Sequence, residues 1–132
     1  MLVDRAHPRL SIGIDIINIE VVSRLFTRHS SRFLELVYTP AEQRFCGGRV
    51  HNLAKVFAAK EAAAKALGTG LAYMAVGGVE LHELEIVGDG YDRPHIYLYG
   101  GAQSRAEALG LCVWTISFAH SRRIAVALVV AS

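Results

Sequence analysis

Four charged residues stand where their surroundings give them no ordinary reason to be. Three lie in "FAAKEAAAKALGTG", Phe57 to Gly70, where Lys60, Glu61 and Lys65 interrupt a run of alanines; the fourth, Asp15, interrupts "IGIDII". On a wheel of ~100° per residue, Leu53, Val56, Phe57, Ala64 and Leu67 make a stripe of larger apolar side chains. Lys60 falls near its centre, with Glu61 and Lys65 along its flank. The opposite side is Ala58, Ala59, Ala62, Ala63 and Ala66, with only Lys55 clearly polar, and side chains that small let another backbone come close. Neither side reads as a solvated face. Charge near a core is costly unless it is paired or holds an ion.

Two readings are open for each acid. Glu61 and Lys65 make an i,i+4 pair, which on a surface contributes only ~0.2–0.5 kcal/mol; alternatively they are kept because something charged docks there. Aspartate is depleted in strands, and Asp15 shares its side of the strand with Ser11, Gly13 and Ile17. It is either a strand-end residue capping the helix that begins near Asn18, or a ligand for a hard cation. Mg²⁺ is typically held by one or two carboxylates plus substrate phosphates. Asp15 and Glu61 would supply the carboxylates, and Lys65 a point charge for a phosphate. Metal-assisted phosphoryl chemistry is the reaction class this trio suits. Nothing local shows that Asp15 and Glu61 meet.

The elements that must position them can be read in order. Leu10–Ile17 reads as a strand with Ile12, Ile14 and Ile16 on one side. Asn18 caps a helix through "IEVVSRLFTRH", and "SRFLELV" makes a further short helix. Thr39, Pro40 and Glu42 form a capping box, and that helix stops at Gly47-Gly48. The long helix runs from about Asn52 to Leu67, with Gly68 placed to end it. "VELHELEIV" and "HIYLYG" read as strands joined through "GDGYDRP"; "AQSRAEAL" is a short helix closed by Gly110. "CVWTISFAH" and "IAVALVVA" form a hairpin turned at Ser121-Arg122-Arg123. Helices gather early and strands late, which is an α+β arrangement whose early strand must join the later sheet.

The chain has 132 residues, 52% hydrophobic and 20% charged, with a net charge of +2. One domain over residues 1–132 is expected, with 1–10 an N-terminal stub. No apolar run approaches the ~20 residues of a membrane-spanning helix, and the N-terminus lacks the apolar middle of a signal peptide. A cytoplasmic location without membrane association is expected. Cys46 and Cys112 form no CxxC pair and are expected to be free, buried thiols. The histidines are scattered, so a transition-metal cage is not expected. The basic excess is too weak, and the aromatics too few, for a nucleic-acid-binding surface.

"GIDI", "FAAKEAAAKALGTG" and "ISFAH" followed by "AVALVV" resemble, in order and spacing, the holo-acyl-carrier-protein synthases, the short bacterial-type 4′-phosphopantetheinyl transferases. The resemblance runs from about Ile12 to Val130. It implies an α+β unit that moves the 4′-phosphopantetheine arm of coenzyme A onto a serine of an apo acyl carrier protein, of fatty-acid or polyketide type, releasing adenosine 3′,5′-bisphosphate. By motif position, Asp15 and Glu61 would hold Mg²⁺ and Lys65 would contact the diphosphate; Asp15, Glu61 and Lys65 are the implied catalytic set. Either acid, directly or through water, would take the serine proton. Lys60, Gly68 and His120 would contact the coenzyme, although Lys60 also reads as a structural ion pair, Gly68 as a helix cap and His120 as a packed strand end. The family trimerises with active sites between subunits. A homotrimer would account for the alanine face and the apolar surplus. Arg24, Arg28 and Arg32 make a basic stripe suited to an acidic carrier, or else a solvated face.

Three positions depart from the family pattern. Val21 and Val56 stand where basic residues are common, and Ala119 where a serine or threonine precedes the histidine. "LAYMAVGG" is longer and more apolar than usual. These departures favour the alternative of a catalytically inactive relative that only binds a carrier or serves as an assembly subunit. The retained Asp15, Glu61 and Lys65 oppose it.

Overall fold

The structure, a computed structural model, describes residues 10–72, 76–88 and 93–132. Strand β1 (Ser11–Asn18) leads into helix α1 (Ile19–Val37), followed by α2 (Pro40–Cys46) and the long α3 (Val50–Ala66). A 3₁₀ turn (Leu81–Glu83) precedes β2 (Leu84–Gly88) and β3 (Pro94–Leu98); α4 (Gly100–Leu109), β4 (Trp114–His120) and β5 (Ile124–Ala131) complete the chain. The first nine residues of the N-terminal stub, and parts of "LAYMAVGG" and "GDGYDRP", lie outside the described residues.

The early strand does join the late ones. β1 pairs antiparallel with β5 from Ser11↔Ala131 to Asn18↔Ile124, and β4 pairs on the other side of β5. β2 and β3 form a separate two-stranded sheet. Alternation along the strands puts Ser11, Gly13, Asp15 and Ile17 on one face with Ala125, Ala127, Val129 and Ala131. That face lies against α3, the most extensive packing in the fold. The approach is close: a Cβ on Gly13 would sit 1.7 Å from the Ala62 carbonyl oxygen. Ser11 Oγ donates to the Ala66 carbonyl at the same crossing.

Here the sequence expectation needs correcting. The alanine face of α3 is covered within the chain by β1 and β5, with Ala58, Ala59, Ala62 and Ala63 all fully buried, so it needs no second subunit. The uncovered apolar surface is the opposite side of the sheet: Ile12, Ile14 and Ile16 are 54–62% exposed, beside Leu128.

Local departures have local causes. The two expected N-terminal helices run as one, broken at Ser30, whose φ is +28°. Asn18 caps α1 by accepting from the Glu20 N–H at 2.9 Å, so Asp15 is not the cap. β2 starts later than "VELHELEIV" suggests because Leu81–Glu83 is spent otherwise. The Leu81 carbonyl accepts from Lys60, and the Glu83 carboxylate accepts the Ala102 N–H at the start of α4. Cys46 and Cys112 are free, but Cys112 is exposed rather than buried.

Candidate active site

Asp15 and Lys65, fifty residues apart, meet. Lys65 Nζ donates to Asp15 Oδ1 at 3.0 Å and to the Ile14 carbonyl at 3.1 Å. The close crossing of β1 over Ala62 and Ala66 makes this possible, because glycine at 13 lets the strand settle onto the helix backbone. The Asp15 side chain retains 11% of its surface and that of Lys65 retains 53%, so the pair stands at an opening rather than in the core. Glu61, half-buried, lies one turn earlier on the same side of α3 as Lys65. The arrangement thus presents two acids and a lysine along one crossing of strand and helix. Among the described residues no group of three or more His, Cys, Asp or Glu could hold a metal ion. A site of two hard oxygen donors fits an ion that takes its other ligands from water and phosphate, as Mg²⁺ does. An ammonium already rests on Asp15, so this carboxylate attracts a cation in the present arrangement.

Lys60 has a different position. Neither it nor Glu42 has exposed side-chain surface, and Lys60 Nζ lies 2.6 Å from Glu42 Oε1. Lys60 also donates to the carbonyls of Val37 at 2.6 Å and Leu81 at 2.9 Å. Glu42 accepts from the N–H groups of Thr39 and Ile86, both at 2.8 Å. Burial pushes the Glu42 carboxyl up and the Lys60 ammonium down, each opposed by the partner's charge. Cys46, in the same buried cluster, has its thiol pushed up to about 12, chiefly by burial and then by Glu42, so it stays protonated and inert. Of the two readings of Lys60, the structure has the ion pair; with no accessible surface it is not available to a nucleotide. Val56 is fully buried too and belongs to the core.

His120 lies on the helix-facing side of the sheet but at the other end of α3. Its ring packs 4.8 Å from that of His51. Desolvation, then Lys55 and His51, lowers its pKa. His51 and Lys65 are fourteen residues apart on one helix, about 21 Å along its axis at 1.5 Å per residue. Within one chain, therefore, His120 is not brought to Asp15, Glu61 and Lys65. Around it, Arg49, Asn52 and Lys55 line a cleft of about 470 Å³ with Phe45 and Phe118. His51, Arg122 and Arg123 line another of about 590 Å³.

Gly68 is exposed just past α3 with φ +75°, where a side chain would be strained. Arg24 is tied to Glu20 at 2.7 Å. Arg28 and Arg32 are exposed on the same helix, and His29 and Arg32 border an apolar groove with Leu25, Phe33 and Leu36. Sequence reasoning missed Glu42 as the partner of Lys60; the capping box drew attention to its backbone role only. Gly13 was passed over as a strand residue, although glycine inside a strand is itself a sign of close backbone approach.

Comparisons with known proteins bear on the family and the fold. The profile of the 4′-phosphopantetheinyl transferase superfamily matches residues 11–127. The holo-[acyl-carrier-protein] synthase of Solidesulfovibrio magneticus is 45% identical over 120 residues, spanning 90% of this chain and 94% of that protein. That of Herpetosiphon aurantiacus is 40% identical, covering 92% and 97%. Among solved structures, the Helicobacter pylori holo-[acyl-carrier-protein] synthase in complex with coenzyme A superposes with a TM-score of 0.80 at 28% identity, covering 92% of this chain and 99% of that one. The Neisseria meningitidis synthase gives 0.79 at 30% identity, covering 92% and 97%. With the fold in agreement and the family profile matching residues 11–127, this chain belongs to the 4′-phosphopantetheinyl transferase superfamily.

Proposed function

We infer that this chain is a holo-acyl-carrier-protein synthase, transferring the 4′-phosphopantetheine arm of coenzyme A to a serine of an apo acyl carrier protein and releasing adenosine 3′,5′-bisphosphate. The observation that supports the reading is the 3.0 Å contact between Lys65 and Asp15, which brings together two of the three sequence blocks that carry the family resemblance. Asp15 and Glu61 would hold Mg²⁺, which when bound offsets the charge on the diphosphate. Lys65 lies against the diphosphate and neutralises the leaving group as the anhydride P–O bond breaks. The serine oxygen forms the new P–O bond, and its proton passes to Asp15 or Glu61. Gly68 lets the co-substrate approach the end of α3.

His120 serves the coenzyme from a neighbouring subunit. Supporting this are its separation from Lys65 within one chain and the exposed Ile12, Ile14, Ile16 and Leu128 face. A homotrimer with active sites between subunits buries that face and joins the two ends. Arg28 and Arg32, with Arg24, face the acidic carrier. Among the described residues no helix is long and apolar enough to cross a membrane, and we place the reaction in the cytoplasm.

The test combines the protein with coenzyme A, Mg²⁺ and an apo carrier, and follows the phosphopantetheine mass increment on the carrier. The increment should disappear with chelator and with Glu61→Ala. No increment on any carrier would favour the inactive, carrier-binding relative; an increment that survives Glu61→Ala would remove that residue from its role.

A further inference from the structure

The C-terminal end of a helix is the wrong end to offer an anion. Aligned peptide dipoles leave about half a negative charge on the last carbonyls, and the proposed diphosphate contact, Lys65, is the only basic residue in the last turn of α3. Its ammonium is shared with Asp15. A second cation arrives from α4. Arg105 Nε donates to the Leu67 carbonyl, at the C-cap of α3, over 3.1 Å. Its Nη2 lies 3.7 Å from where a Cβ on Gly68 would stand. Arg105 is exposed and, among the described residues, has no carboxylate within ion-pair distance. A guanidinium carries five N–H donors in a fixed fork; one is used on the helix end, and the edge beside Gly68 is open.

We propose that Arg105 is a positioning residue for the coenzyme. It pins the Leu67–Gly68 turn to α4 and sets a fixed positive charge on the negative end of α3, so that an anionic nucleotide can lie along Lys65 and Gly68. This rests on the coenzyme reading above. A helix cap with no part in binding would affect folding stability alone. Electrostatic positioning predicts instead a loss of anion affinity that depends on salt and on charge.

The experiment titrates coenzyme A into the full-length protein by calorimetry, in Mg²⁺ and without carrier, for wild type, Arg105→Met, Arg105→Lys and Lys65→Met, with thermal unfolding alongside. Arg105→Met is expected to weaken coenzyme binding roughly two- to fivefold, the range of one charge at a helix end, and to flatten its dependence on salt. Arg105→Lys, which keeps the charge without the fork, should recover part of the affinity. Arg105→Met that lowers the melting temperature but leaves affinity and salt dependence unchanged overturns the proposal. So does a fully wild-type affinity in both Arg105 variants. The underlying reading fails by a different signature: wild type that does not bind coenzyme, or Lys65→Met that binds it as wild type does.

Discussion

Two lysines on one helix, five residues apart, meet carboxylates in opposite ways. Lys60 and Glu42 are sealed from solvent, and between them they collect two carbonyls and two N–H groups from the ends of α1 and α2, the 3₁₀ turn and β2. Lys65 and Asp15 stand at an opening, with more than half of the lysine side chain in solvent. The first pair has no surface left to offer a substrate; the second has little packing to lose. The difference shows that a charge in an apolar helix does not by itself mark an active site. What separates a structural ion pair from a reactive one is whether every donor and acceptor is already spent inside the fold.

The contrast breaks if both lysines behave alike on substitution. The largest effect should come from Lys60→Met, which strands a buried carboxylate. Removing one partner of a buried pair costs about 3–5 kcal/mol, and chemical denaturation should show it with the transition still cooperative. Lys65→Met should leave the denaturation midpoint nearly unchanged. Its kcat for carrier modification should instead fall on the order of 10²- to 10³-fold, as for other lost transition-state charge contacts. A Lys65→Met protein that transfers normally would reduce the exposed pair to decoration.

Gly13→Ala sharpens the comparison from the backbone side. Its new methyl would meet the Ala62 carbonyl, forcing β1 away from α3 and lengthening the Lys65–Asp15 contact while leaving Lys60–Glu42 untouched. Overpacking of this kind costs about 1–3 kcal/mol, and activity should fall beyond what the stability loss explains. Equal losses in folded fraction and activity would show that the crossing does not tune the site.

Much of this was legible in the residues. Capping at Asn18 and at Thr39-Pro40-Glu42, and the glycines closing α2 and α4, are local chemistry, and those boundaries fall where the sequence places them. The meeting of Asp15 with Lys65 was not legible from either segment alone, because it depends on β1 inserting beside β5, more than a hundred residues later. The covering of the alanine face was misread for the same reason. Small side chains announce that a backbone will come close, but not whose, and here it is the chain's own Gly13. Periodicity also placed Lys60 in the apolar stripe, where it is. That Glu42 waits there to receive it follows only from packing α2 and β2 against α3.

The smallest effect is the most discriminating. An ion pair with one partner largely in solvent contributes at most about 1 kcal/mol, and salt screens it. Asp15→Asn should therefore shift the melting temperature by only a few degrees, and the shift should shrink further in high salt. The amide keeps an oxygen for Lys65 but gives up the charge that a divalent cation requires. If stability were the reason for Asp15, its removal would be felt in folding as Lys60→Met is. A near-wild-type melt with lost transfer would mean that this aspartate is held in a strand of isoleucines for what it binds. A melt as damaged as that of Lys60→Met would mean that the open pair is a second structural clamp, and that the distinction between the two lysines is one of exposure only.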